Sequence, residues 1–317
     1  MKFFIIILLV INYTVNFAII YRHDKDSSDY LKLAQEEQFN CVGRMFKIIN
    51  ESDTTDKWES RHAKGDTLKP WCSCELISEQ YVLSAAHCFT NLIKKDTTYI
   101  MDDGTKIDSY IVLGENQLPS SKFRFDLDGR LLEADTIILH SKYFSLDVKG
   151  QWNNYDVAII KLKEPVTKIK IPKLNKNANE VGRKAVGVGW GYYGGAYDKE
   201  LNYGKKLAGE NMIDTIWNFR DGLPGTLVYD FDSPTDSNCN KTGDSKPLNL
   251  EFSTIAGDSG GGLFIEKKGQ WLLAGVSPSA GINIEQFRKT GYYCHSSYWV
   301  RISTILDWIN QSIKNTK

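Results

Sequence analysis

Short apolar runs separated by turn residues are the feature that most restricts the fold of this 317-residue chain. No long amphipathic helix interrupts them before the C-terminus. Such runs are typical of short antiparallel strands, so the chain is predicted to be all-β, with barrels or a sandwich. The clearest strand candidates are Leu83–Ala86, Ile111–Leu113, Thr136–Leu139, Val157–Ile160 and Leu272–Val276.

Two regions depart from this pattern. Near the C-terminus, Ile302, Ile305, Leu306, Ile309 and Ile313 recur at three- and four-residue spacing, which predicts an amphipathic helix lying on the domain surface. The stretch 192–250 is rich in Gly, Asp and Asn and is predicted to form long surface loops.

The N-terminus has the composition of a secretory signal peptide. Lys2 precedes the apolar run Phe3–Ile11, and the small residue Ala18 follows a softer stretch. A membrane anchor is the alternative, because weak hydrophobicity continues to Tyr21. A span needs about 20 mostly apolar residues, and Asn12, Thr14 and Asn16 interrupt this one. We therefore expect residues 1–18 to be removed and the protein to be secreted.

Export determines how the cysteines are interpreted. The six cysteines form an even set, so disulfides are expected in an oxidising compartment. Zinc binding at Cys72 and Cys74 is the alternative, but one intervening residue fits the usual zinc pattern poorly. Sequons at Asn50, Asn240 and Asn310 mark candidate glycans of a secreted glycoprotein.

Three segments carry residues suited to nucleophilic catalysis. A strand candidate ends at His87, Asp156 precedes a buried strand candidate, and Ser259 lies within Gly257–Gly262, where glycine dominates. A serine hydroxyl needs an adjacent base, a histidine can be that base, and a carboxylate can orient it. Each segment alone is more often a turn, a surface histidine or a strand cap; together they favour a catalytic triad.

In this order, the three motifs resemble the chymotrypsin/trypsin family of serine proteases (peptidase S1), of which this chain looks like a divergent member. The resemblance implies two antiparallel six-stranded β-barrels with a C-terminal α-helix. It implies a secreted serine endopeptidase with His87, Asp156 and Ser259 as the triad. The N–H groups of Gly257 and Ser259 would form the oxyanion hole. His140 matches a structural landmark of the family and is not predicted to be catalytic.

The resemblance also implies activation from a zymogen. Cleavage between Lys47 and Ile48 would free a branched apolar terminus, whose ammonium would pair with Asp258 beside the nucleophile. The predicted organisation is a signal peptide over 1–18, a pro-segment or N-terminal extension over 19–47, and a protease domain over 48–317. The alternative is that Lys47 is an uncut surface lysine.

The family pattern further implies disulfides and pocket residues. Cys72 would pair with Cys88 and Cys239 with Cys294, leaving Cys41 and Cys74 to pair with each other. Ala185 and Ile265 occupy positions of a missing family bridge, as if packing replaced it. The pocket would include Ser253, Thr254, Ser277 and Ser279. The uncharged Ser253 at the floor predicts no preference for Lys or Arg and favours apolar or small side chains.

Charge and chemistry define the expected partners. Lysine plus arginine equals aspartate plus glutamate, 39 against 39, so no overall field favours nucleic acid. Triad chemistry needs no metal or organic cofactor, and none is expected. The partners expected are protein or peptide substrates, an activating protease and a protein inhibitor, with no membrane after signal cleavage and a monomeric chain. The competing hypothesis is a catalytically silent, secreted protease homologue that acts as a binding protein.

Overall fold

The computed structural model describes residues 19–49, 67–100, 106–143, 155–198, 202–240, 242–243, 246–254, 257–278 and 293–316. The predicted signal peptide, the Asn50 sequon and Ser279 lie outside these residues. Neither helix in the described part of the chain is long and apolar enough to cross a lipid bilayer.

Within the described residues, the regular structure consists of twenty strands and two α-helices, with four short 3-10 helices between them. The first half contains β1 (Ile20–Tyr21), α1 (Ser27–Ala34), β2 (Val42–Ile49), β3 (Thr67–Ser78), β4 (Tyr81–Ser84), β5 (Thr90–Ile100), β6 (Lys106–Gln117), β7 (Phe123–Leu127), β8 (Arg130–Leu139) and β9 (Ala158–Leu162). The second half contains β10 (Lys173–Leu174), β11 (Lys184–Gly189), β12 (Tyr192–Gly195), β13 (Asn202–Tyr203), β14 (Leu207–Met212), β15 (Thr215–Asn218), β16 (Pro224–Asp230), β17 (Phe252–Ser253), β18 (Gly262–Lys267), β19 (Gln270–Val276), β20 (Ser296–Arg301) and α2 (Ile302–Asn315).

The first barrel is closed and has six strands in the order β2-β3-β4-β9-β8-β7. Alternating side chains of these strands fill it, including Met45, Leu76, Val82, Phe125 and Ile160, none of which has measurable exposure. Closure removes the unpaired edges that an open sheet would expose. The predicted all-β fold with a C-terminal helix is confirmed.

The second half forms a curled eight-stranded sheet rather than a closed six-stranded barrel. Its order is β14-β11-β18-β19-β20-β16-β15, with β10 added beside β19. Ala185 and Ile265 face each other across β11 and β18 and are 0% and 1% exposed. Apolar packing therefore occupies the place of the missing disulfide, as predicted.

Two sequence predictions of local structure need correction. The stretch 192–250 is not a set of surface loops, because it contains β12 to β16. Tyr229 and Phe231 in this region have no exposed surface. The predicted boundary between residues 47 and 48 is also wrong, since it cuts strand β2 in the middle.

Residues 19–49 form part of the folded domain. Strand β1 joins a four-stranded sheet with β12, β13 and β17, and β2 belongs to the closed barrel. Helix α1 begins after Asp26, whose side chain accepts the N–H of Ser28 at 2.8 Å. Tyr30 of this helix is fully buried, and its hydroxyl donates to the carbonyl of Glu251 at 2.9 Å.

Lys47 is not an accessible cleavage site. Its residue is 6% exposed, and its Nζ lies 4.4 Å from the centre of the Trp71 ring. Lys47 pairs with Lys69 on one side and Phe123 on the other, and Ile48 pairs with Leu68. The predicted activation bond Lys47–Ile48 is therefore wrong: cutting it would sever a strand that the closed barrel requires.

Candidate active site

Strand register brings His87 and Asp156 together. Strands β4 and β9 are antiparallel, and Ser84 at the end of β4 pairs with Ala158 at the start of β9. His87 follows β4 by three residues and Asp156 precedes β9 by two, so both side chains lie at one end of this strand pair. Two motifs that are about 70 residues apart in the sequence are therefore in direct contact in the fold.

Asp156 holds His87 through two hydrogen bonds. Nδ1 of the imidazole lies 2.7 Å from Oδ2 of Asp156, and the backbone N–H of His87 donates to Oδ1 at 2.9 Å. The Asp156 side chain is 3% exposed and that of His87 is 34% exposed. One ring nitrogen is therefore fixed by a buried carboxylate, which leaves Nε2 as the nitrogen that can take up a proton.

The two effects on the basicity of His87 oppose each other. Burial alone would lower the pKa of the imidazole, but the charge of Asp156 and its hydrogen bond outweigh burial. The pKa of His87 is raised above its ordinary value of 6.5 as a result. A base of this kind is well matched to proton transfer near neutral pH.

Tyr155 is a positioning residue that sequence analysis did not identify. Its φ of 57° is left-handed, a conformation that is costly for a bulky residue and is retained only where surrounding contacts enforce it. The hydroxyl of Tyr155 donates to Asp221 at 2.6 Å, and its ring stacks on His140 at 4.3 Å. These contacts fix the backbone immediately before Asp156. Nothing in the sequence signals this role, because asparagine or glycine is the usual residue at positive φ.

His140 has a structural environment, as predicted. It is 6% exposed and packs against Trp308 of α2 at 4.7 Å. Burial, aided by the neighbouring charge of Lys142, lowers the pKa of His140 to about 4. A histidine that is neutral and enclosed at physiological pH contributes packing rather than proton transfer.

Ser259 lies at the corresponding end of the second sheet. The loop that carries it leads into β18, and Ser277 follows β19, the neighbour of β18. The N–H of Gly260 donates to the Ser277 carbonyl at 2.7 Å, and the N–H of Ser277 donates to the Gly261 carbonyl at 2.8 Å. These two bonds hold the turn that presents Ser259.

Glycine is required at Gly260. Its φ of +80° is left-handed, and a Cβ there would collide with Ser84 Oγ and the Ser73 carbonyl. Gly257 has a φ of +94° on the other side of the serine. The glycines identified in the sequence thus allow the Ser259 loop to approach the histidine side of the site closely.

A disulfide and a backbone hydrogen bond connect the two halves of the site. Cys72 and Cys88 are bonded with a sulfur–sulfur distance of 2.02 Å, as predicted, and Cys88 is adjacent to His87. The N–H of Ser73, next to Cys72, donates to the Ser259 carbonyl at 2.8 Å. Within the described residues, the Ser259 hydroxyl makes no hydrogen bond to His87. The role of Ser259 as the third member of the triad therefore stays a prediction.

Cys72, His87 and Cys88 lie close enough to resemble a metal site. Both sulfurs belong to the disulfide, so neither is available as the thiolate that a zinc ion requires. The disulfide between Cys72 and Cys88 instead fixes the loop that carries His87.

The predicted Cys41–Cys74 bridge is wrong, because both residues are buried free thiols. The N–H of Leu76 donates to the Cys41 carbonyl, and Gly43 pairs with Cys74, so Cys41, directly before β2, is a diagonal neighbour of Cys74 on β3. Diagonal positions are separated by about 7–8 Å, whereas a disulfide needs Cβ atoms about 3.5–4.5 Å apart.

Cys294 takes part in a disulfide. The side chain of its predicted partner Cys239 lies outside the described set, so that pairing stays a prediction.

The predicted pocket residues that the structure describes are buried and uncharged. Ser253 Oγ lies 3.2 Å from Ser297 Oγ, which also accepts the N–H of Thr254 at 3.0 Å. Ser277 Oγ is buried with no hydrogen-bond partner among the described residues. Ser277 Oγ therefore makes no hydrogen bond to Asp156 in the described part of the chain.

Comparison with known proteins identifies the family. Residues 50–309 match the family model described as Trypsin. The chain belongs to the trypsin family. The match begins just after β2, although the structure places that strand in the first barrel of the same trypsin-like domain.

Individual relatives are distant. Serine protease SSP1 from Scolopendra subspinipes is 25% identical over 254 residues, covering 77% of this chain and 74% of that protein. Chymotrypsin-C from Bos taurus is 27% identical over 264 residues, covering 80% of this chain and 82% of that protein. The human atrial natriuretic peptide-converting enzyme is 25% identical over 253 residues, covering 76% of this chain and 20% of that protein. The three names describe a serine protease, a chymotrypsin and a peptide-converting enzyme.

Proposed function

We propose that this protein is a secreted serine endopeptidase that uses His87, Asp156 and Ser259 to cleave peptide bonds through an acyl-enzyme. The observation that carries the proposal is the hydrogen bond of 2.7 Å between His87 and the buried Asp156. The loop of Ser259, tied to Ser73 beside the same disulfide, supplies the nucleophile.

The reaction follows from these groups. Ser259 Oγ forms a bond to the carbonyl carbon of the substrate while its proton moves to His87 Nε2. The N–H groups of Gly257 and Ser259 stabilise the resulting oxyanion. The carbon–nitrogen bond then breaks and His87 returns the proton to the leaving amine. A water molecule then attacks the acyl-enzyme with the same help from His87 and releases the acid product. Asp156 stabilises the imidazolium of His87 during both acylation and deacylation.

Secretion is proposed from the sequence. Residues 1–18 have the composition of a signal peptide. The disulfide between Cys72 and Cys88 agrees with an oxidising compartment.

Covalent labelling of Ser259 tests the proposed activity. The purified secreted protein is incubated with a fluorophosphonate probe, and the labelled peptide is identified by mass spectrometry. We expect label on Ser259 and its loss in Ser259→Ala, because the probe reacts with an activated serine. Ser121→Ala, a change at an exposed serine, is expected to retain full labelling. Absence of label in a folded protein would leave the binding homologue as the better description.

A separate prediction concerns substrate preference. Ser253 and Ser297 offer a substrate side chain no negative charge. An acidic floor would contribute about 1.5–3 kcal/mol to a charged substrate. Reporters with Lys or Arg before the cleaved bond are therefore expected to react at least about tenfold more slowly than Phe, Leu or Ala reporters. Ser253→Asp is expected to raise the rates for Lys and Arg, and Ser253→Asn, similar in size but uncharged, is not. Equal gains in the two variants would mean that Ser253 does not line the pocket.

A further inference from the structure

Side chains from both halves of the domain enclose Tyr155. From the first half, the His140 ring stacks on the Tyr155 ring at 4.3 Å, and the Lys142 ammonium lies 4.9 Å from the centre of that ring. From the second half, the Phe219 ring packs against Tyr155 at 4.2 Å, and Asp221 accepts its hydroxyl at 2.6 Å. Two parts of the chain that are distant in sequence therefore hold this one side chain.

Lys142, Tyr155 and Asp221 form a polar group that we call the Tyr155 cluster. Oδ2 of Asp221 accepts both the Tyr155 hydroxyl and the Lys142 ammonium, the latter at 2.5 Å. The hydrogen bonds from Lys142 and Tyr155 lower the pKa of Asp221 to about 2, and the bond to Asp221 raises the pKa of Lys142. Asp221 is therefore ionised in the neutral range, and a charged acceptor makes the bond from the hydroxyl roughly twice as strong as a neutral one.

The segment that presents Asp221 is a tight connection between β15 and β16. The N–H of Phe219 donates to the Leu223 carbonyl at 2.7 Å, and the N–H of Gly222 donates to the Phe219 carbonyl at 2.9 Å. The N–H of Leu223 also donates to Oδ1 of Asp221 at 3.3 Å. Phe219 is 2% exposed, so the connection is anchored in the interior. These contacts fix the backbone that carries the Asp221 carboxylate.

The backbone of Tyr155 determines that of Asp156. The Tyr155 carbonyl accepts the N–H of Val157 at 2.7 Å, which closes a three-residue turn with Asp156 at its centre. The Val157 carbonyl in turn accepts the N–H of His140 at 3.1 Å. Rotation of Tyr155 out of its left-handed conformation would open this turn and displace the Asp156 carboxylate from the two donors of His87.

We propose that Asp221 is a positioning residue for the triad, which fixes Tyr155 so that Asp156 keeps the orientation that His87 requires. The proposal rests on the proposed function and adds a residue of the second half to the support of two catalytic residues of the first. Among the described residues, Asp221 makes no hydrogen bond to the triad itself, so its effect is exerted through Tyr155.

Exposure separates this role from a contribution to global stability. The Lys142 and Asp221 side chains are 52% and 33% exposed, and ion pairs at such positions add little to stability. Tyr155, in contrast, is 5% exposed and has a backbone conformation that its neighbours must enforce. Loss of Asp221 is therefore expected to change the orientation of Tyr155 more than the free energy of unfolding.

The test removes each side of the contact in turn. Asp221→Asn removes the charge, and Tyr155→Phe removes the hydroxyl and keeps the ring. A misplacement of about 1 Å can cost about 10²-fold in rate, so the partial displacement expected in each variant should lower kcat about tenfold. KM should change by less than about twofold, because neither residue belongs to the proposed pocket. Asp221→Glu keeps the carboxylate and should retain more of kcat than Asp221→Asn.

The double variant and matched controls show whether the two residues act together. Asp221→Asn combined with Tyr155→Phe should be no slower than the slower single variant, because both changes remove the same contact. Asp307→Asn and Tyr203→Phe make the same substitutions at exposed positions and should leave kcat unchanged. Unfolding curves of all variants show whether the fold is retained.

The pH profile of kcat/KM shows whether the loss acts through Asp156. The charges that raise the pKa of His87 are those of Asp156 and Glu115, so removing the Asp221 charge has no direct effect on the imidazole. A displaced Asp156 carboxylate would raise the pKa of His87 less than the native one does. The midpoint of the rise in kcat/KM should therefore move to lower pH in Asp221→Asn.

Each result has a defined meaning. A lower kcat with a shifted midpoint and a near-native unfolding curve would support the proposal. Native kcat in folded Asp221→Asn, an unshifted midpoint, or additive losses in the double variant would overturn it and leave the proposed protease activity intact. If Asp221→Asn does not fold, Tyr155→Phe provides the same test. A folded native protein that cleaves no reporter would overturn the proposed function instead.

Discussion

Replacement of Asp156 by asparagine is expected to lower kcat about 10⁴-fold, the size of the effect that the equivalent change has in well-studied members of the family. The structure gives the reason. Both oxygens of Asp156 accept hydrogen bonds from His87, one from the ring and one from the backbone. An asparagine keeps the shape but presents an N–H₂ group to one of these donors. The imidazole then favours the tautomer that carries its proton on Nε2, and that tautomer cannot accept the proton of Ser259.

The pH dependence provides a second readout of the same contact. His87 acts as a base only when neutral, so kcat/KM should rise with pH through the pKa of His87. In the native enzyme this midpoint is expected above 6.5, because the charge of Asp156 overcomes the opposing effect of burial. Asp156→Asn removes the charge and leaves burial, so the midpoint should move to lower pH.

The measurement uses the fastest reporter in the substrate panel over a range of pH. Asp307→Asn, the same substitution at an exposed position of α2, is the matched control and should change kcat by less than about twofold. Unfolding curves of both variants show whether the fold is retained. A folded Asp156→Asn enzyme with near-native kcat and an unshifted midpoint would show that Asp156 does not orient the catalytic base.

The triad segments were predictable because local sequence determines their surroundings. The small residues before His87, the apolar strand after Asp156 and the glycines around Ser259 each restrict their own backbone, and their order matches one family. The register of β4 and β9 then converts this order into the observed His87–Asp156 contact. The terminal helix was predictable for a similar reason, because its buried isoleucines repeat with helical period.

The N-terminal region was not predictable in the same way. Lys47, Ile48 and Ile49 form a basic residue followed by branched apolar ones, which suits an activation site and an ordinary strand equally well. Long-range pairing with Leu68 and Phe123 decides between them, and no local pattern records it. Helix α1 is mostly polar, and its role depends on the burial of Tyr30 against Glu251, more than 200 residues away.

The predicted Cys41–Cys74 bridge is absent for a geometric reason. Cys41 and Cys74 were paired by elimination, but Cys41 directly precedes β2 and stands diagonally to Cys74 of β3, and both are free thiols. Cys41 is opposite Leu76, so a shift of two residues in register would be needed to bring it opposite Cys74. The sequence does not determine that register, because glycine and apolar residues on β2 allow either alignment.

The largest expected loss of stability comes from an ion pair remote from the triad. Arg301, where β20 meets α2, donates from Nε and Nη2 to the two carboxylate oxygens of Glu180 at 3.1 and 2.6 Å. The two side chains are 3% and 0% exposed. Asn175 and Ser303 also donate to Glu180, at 2.9 and 3.1 Å. The pair therefore joins the strand that carries Ser297 to the segment before β11.

Glu180→Gln is expected to lower the free energy of unfolding by about 3–5 kcal/mol, because it leaves the Arg301 charge buried without its counter-charge. Glu133→Gln is the matched control. Glu133 binds Lys163 at 2.6 Å and Arg124 at 3.1 Å at the protein surface, where solvent screens the charges, so Glu133→Gln should leave the unfolding curve nearly unchanged. Denaturant unfolding of both variants in a Ser259→Ala background avoids self-digestion.

The double change Glu180→Leu with Arg301→Met should be less destabilising than Glu180→Gln, since it removes both charges from the interior. A loss below about 1 kcal/mol for Glu180→Gln would mean that water or a local rearrangement compensates the charge of Arg301.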